Sequence, residues 1–195
     1  MKKLTYLVMI ALSAYALQGC NSAPKDAKEN ADSVNKTKDT TTNVAATGGI
    51  AVDKDDAKFA TTAANGGMAE VALGKLALQK TTNAQIKDFA NMMVTDHGKA
   101  NDELKAIAAK KNITLPDSVD NEHKEKMADL SKKTGKDFDK AYVDAMVDGH
   151  KKTLDLMQDA AKSCKDADLK AFAAKTAPTV KMHLDAINKI HDSMK

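Results

Sequence analysis

Apolar residues recur at spacings of three and four from about residue 54 to residue 194, and this periodicity constrains the fold more than any other feature of the chain. One face of an α-helix has this period, whereas a half-buried β-strand requires strict alternation of apolar and polar residues. Strand-like alternation is almost missing from this part of the sequence. The sequence therefore predicts an all-α protein.

Turn-forming and helix-ending residues divide the periodic region into four long helices. Polar residues at 81–83 separate the first two helices, Asn112 and Pro116 end the second, and residues 164–165 separate the last two. The predicted helices span residues 54–80, 84–110, 136–163 and 166–194. A shorter amphipathic piece, residues 118–132, lies between the second and third helices.

The connection between the second and third helices decides the topology. A helix of about 27 residues is about 40 Å long, and a connection of about 24 residues is just long enough to cross that distance. A crossover that makes these two helices parallel, as in ferritin-like bundles, is therefore feasible. A simple up-down-up-down arrangement stays open, because the short helix could also cap one end of the bundle.

The first 20 residues have the pattern of an exported lipoprotein. A basic start precedes an apolar segment, residues 4–17, which is too short for the roughly 20 residues of a membrane span. Cys20 follows in the sequence Leu-Gln-Gly-Cys, which resembles the bacterial lipobox. We predict a signal peptide over residues 1–19 and lipid attachment at Cys20. An ordinary secretory peptide with an incidental cysteine is the alternative.

Residues 20–52 consist mainly of Asn, Ser, Ala, Thr, Lys and Asp, with almost nothing apolar to bury. Such a composition does not offset the entropy lost when a chain becomes ordered. We therefore predict a disordered, neutral tether that links the lipid on Cys20 to a folded domain over residues 53–195. The protein is expected in the cell envelope, at the outer membrane facing the periplasm, and exposure at the cell surface stays open.

The net charge and the cysteine content argue against nucleic-acid binding and against a disulfide within the domain. The formal net charge of the chain is +3, and removing a leader that contains Lys2 and Lys3 leaves +1. This small balance argues against a nucleic-acid-binding surface. Only Cys164 remains beside Cys20, so the domain has no internal disulfide to form, and we expect a free, partly buried thiol.

Four polar residues interrupt the apolar faces of the helices. Glu70, His97, His150 and His183 each lie on the apolar stripe of a different predicted helix, near its middle. Counting from the connecting loops places them at the same level of the bundle to within about one turn. Because an unpartnered polar group in a core costs about 1 to 3 kcal/mol, such residues need a metal ion or one another as partners. The sequence predicts one shared site in the core.

The donor set favours one metal ion over two. Ferritin-like di-iron sites take a Glu-x-x-His pair from each of two helices. Valine stands three residues before each site histidine, at Val94, Val147 and Val180, so a di-iron oxidase is disfavoured. One glutamate and three histidines instead match a single copper, zinc or iron ion.

Methionines near the site and a metal-free alternative complete the candidate chemistry. Met93 and Met146 lie one turn before His97 and His150, and a thioether beside imidazole favours copper, so both are candidate accessory ligands. Methionine is also a common core filler. The alternative is a buried hydrogen-bond network of Glu70 and the histidines without a metal, which would respond to pH near neutrality.

Several segments resemble the bacterial domain-of-unknown-function 4142 family over about residues 55–191. The matching stretches are residues 59–60, 69–77, 89–97 and 138–142 with His150, followed by Pro178 with His183. The resemblance implies a ferritin-like helical bundle in exported, often lipid-anchored proteins, with no established activity. We therefore expect a ferritin-like four-helix bundle with a long, partly helical connection between helices 2 and 3.

The sequence as a whole favours a cell-envelope lipoprotein with a non-enzymatic helical domain that serves structure, stress tolerance or partner binding. The alternative is a mononuclear metal-binding or redox protein that uses Glu70 and the three histidines. No nucleophile-base-acid arrangement is visible. The membrane is the expected partner, through the lipid anchor, while a protein partner and the oligomeric state stay open.

Overall fold

The computed structural model describes residues 25–38 and 53–194, and the described chain is entirely helical outside its turns. The all-α prediction is therefore confirmed, whereas the predicted signal peptide and Cys20 lie outside the described residues. The helices are α1 (Ala27–Lys38), α2 (Lys54–Lys80), α3 (Ala84–Lys110), α4 (Asn121–Ser131), α5 (Gly135–Ser163) and α6 (Ala167–Ser193). Among these helices, none combines the length and the apolar character that crossing a membrane requires.

Side-chain caps explain why the predicted helix bounds agree closely with the structure. The side chain of Asn83 accepts hydrogen bonds from the backbone N–H of Gln85 and Ile86 at the start of α3. Asp166 accepts from the first turn of α6 in the same way. These side chains satisfy N–H groups that have no partner within the helix. Asn83 is thus the N-cap of α3.

Contacts near the helix ends show the relative directions of the long helices. Asp56, near the start of α2, accepts backbone hydrogen bonds from Lys165 and Asp166, which follow the end of α5. Lys80, at the end of α2, donates to the carbonyl oxygen of Lys133, just before α5. Helices α2 and α5 therefore run antiparallel.

Helices α3 and α6 also run antiparallel. Asp96 contacts His183, whereas Glu103, further along α3, contacts Lys175, which is earlier in α6. Short loops make α2 antiparallel to α3, and α5 antiparallel to α6. It follows that α3 and α5 point in the same direction, and that residues 111–134, which include α4, lead from one end of the helices to the other.

Helix α1 corrects the predicted tether. The prediction of a disordered segment over residues 20–52 is wrong for Ala27–Lys38, which form a helix packed against α2. The Asn35 side chain donates to the carbonyl oxygen of Thr114 at 2.8 Å and accepts from its N–H at 2.7 Å. Thr61 donates a further hydrogen bond to Asp32. Polar contacts hold α1 in place, so its low apolar content was a poor guide to order.

The core consists of two apolar clusters with a polar layer between them. One cluster includes Phe59, Leu104, Leu169 and Phe172. The other includes Phe89, Met93, Phe138, Tyr142, Met146 and Ile187. In each of the four long helices, the predicted site residue lies between the positions that contribute to the two clusters. The four polar side chains therefore share one level of the molecule.

Cys164 is free, as the sequence predicts, but it is buried rather than partly buried. Burial raises the pKa of its thiol to about 12, and the nearby Asp56 carboxylate adds to the effect. Because the thiolate is the reactive form of cysteine, this environment disfavours redox chemistry at Cys164.

Helices α2 and α3 approach closely at Gly74. A Cβ atom at this position would lie 3.0 Å from the carbonyl oxygen of Ala90 and 3.2 Å from the Cβ of Met93. Gly74→Leu is therefore expected to lower the free energy of unfolding by about 1 to 3 kcal/mol, because a side chain there overpacks the interface. Urea denaturation measures the change. Gly98→Leu is the matched control, since a Cβ at Gly98 meets nothing within 4 Å, and equal losses in both variants would contradict the prediction.

Candidate metal centre

The structure brings all four predicted core residues together. Glu70 comes from α2, His97 from α3, His150 from α5 and His183 from α6. Glu70 is 4% exposed, and His150 and His183 are completely buried. The centroids of the three imidazole rings are separated by 5.2, 5.5 and 5.6 Å. The rings therefore form a nearly equilateral cluster.

One nitrogen of each imidazole contacts an oxygen atom. His150 Nδ1 lies 2.9 Å from the carbonyl oxygen of Met146. His183 Nε2 lies 3.0 Å from a carboxylate oxygen of Asp96. His97 Nδ1 lies 2.9 Å from Glu70 Oε2 in an ion pair that is not aligned as a hydrogen bond. Because carbonyl and carboxylate oxygens only accept, the contacting nitrogen carries hydrogen in each ring.

The second nitrogen of each ring is buried and has no hydrogen-bond partner within the described part of the chain. These atoms are His97 Nε2, His150 Nε2 and His183 Nδ1. One ring nitrogen from each histidine lies within 4.8 Å of one from each of the other two. In a neutral ring whose other nitrogen carries the hydrogen, the second nitrogen presents a lone pair. Three buried histidines are thus close enough to hold one metal ion.

Glu70 and His97 form a charged pair in the absence of a metal. Burial alone raises the pKa of Glu70, but the positive charge of His97 and the nearby His150 and Thr153 outweigh it and lower the pKa to about 2. Burial likewise lowers the pKa of His97, but the charge of Glu70 outweighs burial, and the net shift is upward. The glutamate is therefore ionised and stabilises a proton on His97.

His150 and His183 are neutral at pH 7. Burial lowers the pKa of His150, and the attraction of Glu70 does not compensate for it. Burial also lowers the pKa of His183 to about 4, even though its hydrogen bond with Asp96 acts in the opposite direction. Two of the three rings are therefore ready to bind a cation without first losing a proton.

Glu70 occupies a different position from the three histidines. Its Oε1 accepts a hydrogen bond from Thr153 at 3.3 Å and lies 3.7 Å from His150 Nδ1, while Oε2 contacts His97. The group of side chains close enough to share one ion consists of His97, His150 and His183 and does not include the carboxylate of Glu70. Direct binding of a metal by Glu70 stays a prediction.

Asp96 is a further residue of the site that was not predicted from the sequence. Its place beside His97 puts it off the apolar stripe of α3, and it is 30% exposed, yet it reaches across to His183 on α6. A carboxylate that holds the second nitrogen of a histidine is typical of metal-ligand histidines. The sequence signal was weak, because an exposed Asp next to a core residue is common on amphipathic helices.

The two candidate accessory ligands lie in the apolar cluster that includes Phe89. Met93 and Met146 are both buried there. Met146 contacts the site through its backbone carbonyl oxygen, which pairs with His150. Thioether binding by either methionine stays a prediction.

Comparisons with known proteins agree with the family resemblance. The family described as "Domain of unknown function (DUF4142)" matches residues 39–190. A crystal structure of a DUF305 fragment from Deinococcus radiodurans has a similar fold, with a TM-score of 0.65 over 73% of this chain and 98% of that chain. The two sequences are 9% identical, so the likeness concerns the fold alone. No curated protein matches the chain. Since the family match covers most of its length, the chain belongs to the DUF4142 family.

Proposed function

We propose that this protein is a cell-envelope lipoprotein whose helical domain holds one transition-metal ion. The ligands are His97 Nε2, His150 Nε2 and His183 Nδ1. One observation carries the proposal: these three nitrogens are buried without a hydrogen-bond partner among residues 25–38 and 53–194, while the other nitrogen of each ring contacts an acceptor. In the metal-free protein Glu70 stabilises a second proton on His97, so a bound cation would take the place of this proton and lie between the three ring nitrogens.

The acceptors around the rings support this role. Metal-bound histidines usually donate their second N–H to a carboxylate or a backbone carbonyl, which fixes the tautomer and the ring orientation. Glu70, Asp96 and the carbonyl oxygen of Met146 supply these contacts, one to each ring. The three histidines come from three different helices, so the fold itself orients the ligands.

The spacing of the nitrogens is close to that of a mononuclear site. Three nitrogens at about 2.1 Å from one ion in tetrahedral geometry lie about 3.4 Å apart. One ring nitrogen of each histidine lies within 4.8 Å of one from each of the other two, so binding would draw such nitrogens together by at most about 1.4 Å. Three imidazoles suit zinc, copper or iron and leave a fourth position for water or an added ligand.

The fold and the anchor belong to the same proposal. We assign the domain to the ferritin-like four-helix bundles, supported by the parallel directions of α3 and α5 and by the long connection between them. The Leu-Gln-Gly-Cys sequence supports lipid attachment at Cys20. Mass spectrometry of the mature N-terminus tests the anchor, and an unmodified Cys20 would contradict it.

A metal-free role is the second candidate, and the Glu70–His97 pair favours it. This pair neutralises its own charge inside the core without a metal ion. The domain would then serve structure, stress tolerance or partner binding, and the cluster would respond to acid.

Elemental analysis of the untagged full-length chain, purified in detergent, separates the two candidates. We expect about one equivalent of a transition metal per chain, and its loss in His150→Ala, because removing one of three ligands leaves an incomplete site. His191→Ala is the control, since His191 pairs with Asp144 near the end of α6 and lies outside the cluster. Wild-type protein that contains no metal and takes none up would support the metal-free role.

A further inference from the structure

We propose that divalent cations reach the three-histidine centre through a cavity between α2, α4 and α5, with His123 as the first binding residue. This inference rests on the proposed metal site. The cavity has a volume of about 370 Å³, and both His123 and Glu70 line it. His123 is partly exposed, whereas Glu70 is buried and in contact with His97. The cavity therefore extends from the partly exposed His123 to Glu70, which contacts the ligand His97.

Two glycines keep the walls of this cavity free of side chains. Gly66 on α2 and Gly149 on α5 both line it. A Cβ atom at Gly66 would meet nothing within 4 Å, and one at Gly149 would lie 3.9 Å from Glu70 Oε1. A larger side chain at Gly66 would therefore project into open space within the passage rather than into packed core.

His123 is oriented in the same way as the histidines of the buried centre. Asp120 Oδ1 lies 2.6 Å from His123 Nδ1 and also accepts a hydrogen bond from the backbone N–H of His123. The other oxygen of Asp120 accepts from the Asn65 side chain at 2.7 Å. Because the carboxylate only accepts, Nδ1 carries the hydrogen, and Nε2 presents a lone pair. This carboxylate–imidazole pair resembles Asp96 with His183.

Carboxylates lie at both ends of the cavity, where they would attract a cation. Glu122 joins Asp120 at the outer end, and the carboxylate of Glu70 lies at the inner end. Lys28, Lys126 and Lys152 also line the cavity, but Lys28 is paired with Asp32 at 2.8 Å. A cation that passes His123 next meets the Glu70 carboxylate, which is already in contact with the ligand His97.

Metal-exchange kinetics on the full-length chain test this route, with Zn²⁺ as the probe. Gly66→Leu is expected to slow Zn²⁺ association and chelator-driven release by the same factor, about tenfold, and to leave Kd unchanged, because a block in the path alters both rates equally. Gly98→Leu, which adds the same side chain at a helix position away from the cavity, should exchange at the wild-type rate. Wild-type rates in Gly66→Leu, or a changed Kd with an unchanged association rate, would overturn the route.

A second variant tests the capture step. His123→Ala should slow Zn²⁺ association at low concentration, whereas His191→Ala should leave it unchanged. Equal rates in both variants would overturn the role of His123. If wild-type protein binds no Zn²⁺ at all, the proposed metal site is wrong. If Zn²⁺ binds but the variants exchange it at the wild-type rate, only the proposed route is wrong.

Discussion

Replacing His97 by leucine is expected to lower the free energy of unfolding of the metal-free protein by about 3 to 5 kcal/mol. Glu70 is buried, and the ring of His97 lies 2.9 Å from its carboxylate. Leucine fills comparable space but leaves a buried negative charge without its partner. Urea denaturation near pH 7 measures the effect.

The double variant Glu70→Leu with His97→Leu provides the control. Replacing both partners of a buried ion pair by apolar residues is often neutral or stabilising, so the double variant should regain most of the stability lost in the single one. If both variants lose the same stability, the cost comes from altered packing around residue 97 and the ion-pair explanation is wrong.

As the pH is lowered, the free energy of unfolding of the metal-free protein is expected to fall at pH values above those at which the buried Glu70 takes up a proton. The pKa of His183 is about 4 in the folded protein, below its ordinary value of 6.5. The unfolded chain therefore takes up a proton as the pH falls below 6.5, while the folded protein does not. The free energy of unfolding should fall by about 3 kcal/mol between about pH 7 and about pH 4, and the lowered pKa of His150 acts in the same direction.

The other two groups of the cluster act mainly below pH 4.5 and above pH 6.5. Glu70, with a pKa lowered to about 2, stabilises the fold above its ordinary value of 4.5, and this contribution is lost as the pH falls towards 2. The raised pKa of His97 contributes stability below 6.5 that disappears only as the pH rises through the raised value. The acid sensitivity above pH 4.5 therefore belongs to His183 and His150.

A His183→Leu variant tests this assignment. It removes a buried ring nitrogen that has no hydrogen-bond partner in the described part of the chain, and Asp96 is exposed enough to be hydrated after the change. The variant should be more stable than wild type at about pH 5, and its stability should depend much less on pH. Denaturant titrations at several pH values measure both effects, and an unchanged slope would exclude His183 as the main sensor.

The long helices were predictable because several independent signals agree at each of them. The apolar period defines the buried face of α2 and α3, and residues such as Asn83 and Asp166 cap the helix starts through their own side chains. Counting residues from the loops then placed Glu70 and His150 at one level. These are local properties, and they require no knowledge of how the helices cross.

The groups that contact the outer nitrogens of the histidines were less predictable, because their positions depend on contacts between helices. Asp96 and His183 are 87 residues apart in the chain, and their contact follows from the side-by-side packing of α3 and α6. The ring tautomers depend on such acceptors, including the carbonyl oxygen of Met146, which no side-chain pattern reveals. The sequence therefore indicated the ligand types but not which nitrogen of each ring faces the centre.

Helix α1 shows a different limit to what amino-acid composition can predict. Its docking depends on a pair of hydrogen bonds between Asn35 and the backbone of Thr114, 79 residues away. A polar sequence predicts disorder when there is no apolar surface to bury. It does not predict that the backbone of a distant segment offers unpaired groups in the right geometry.

If Cys20 carries a lipid, as we propose, helix α1 would limit how far the domain can stand from the membrane. Lys28 lines the entry cavity and lies eight residues after Cys20, a stretch that spans at most about 28 Å when fully extended. With a lipid on Cys20, the cavity mouth would thus stay within a few nanometres of the bilayer, with the α1 side of the domain turned towards it. The ion concentration beside the lipid headgroups, rather than that of the open compartment, would then govern how fast the centre fills.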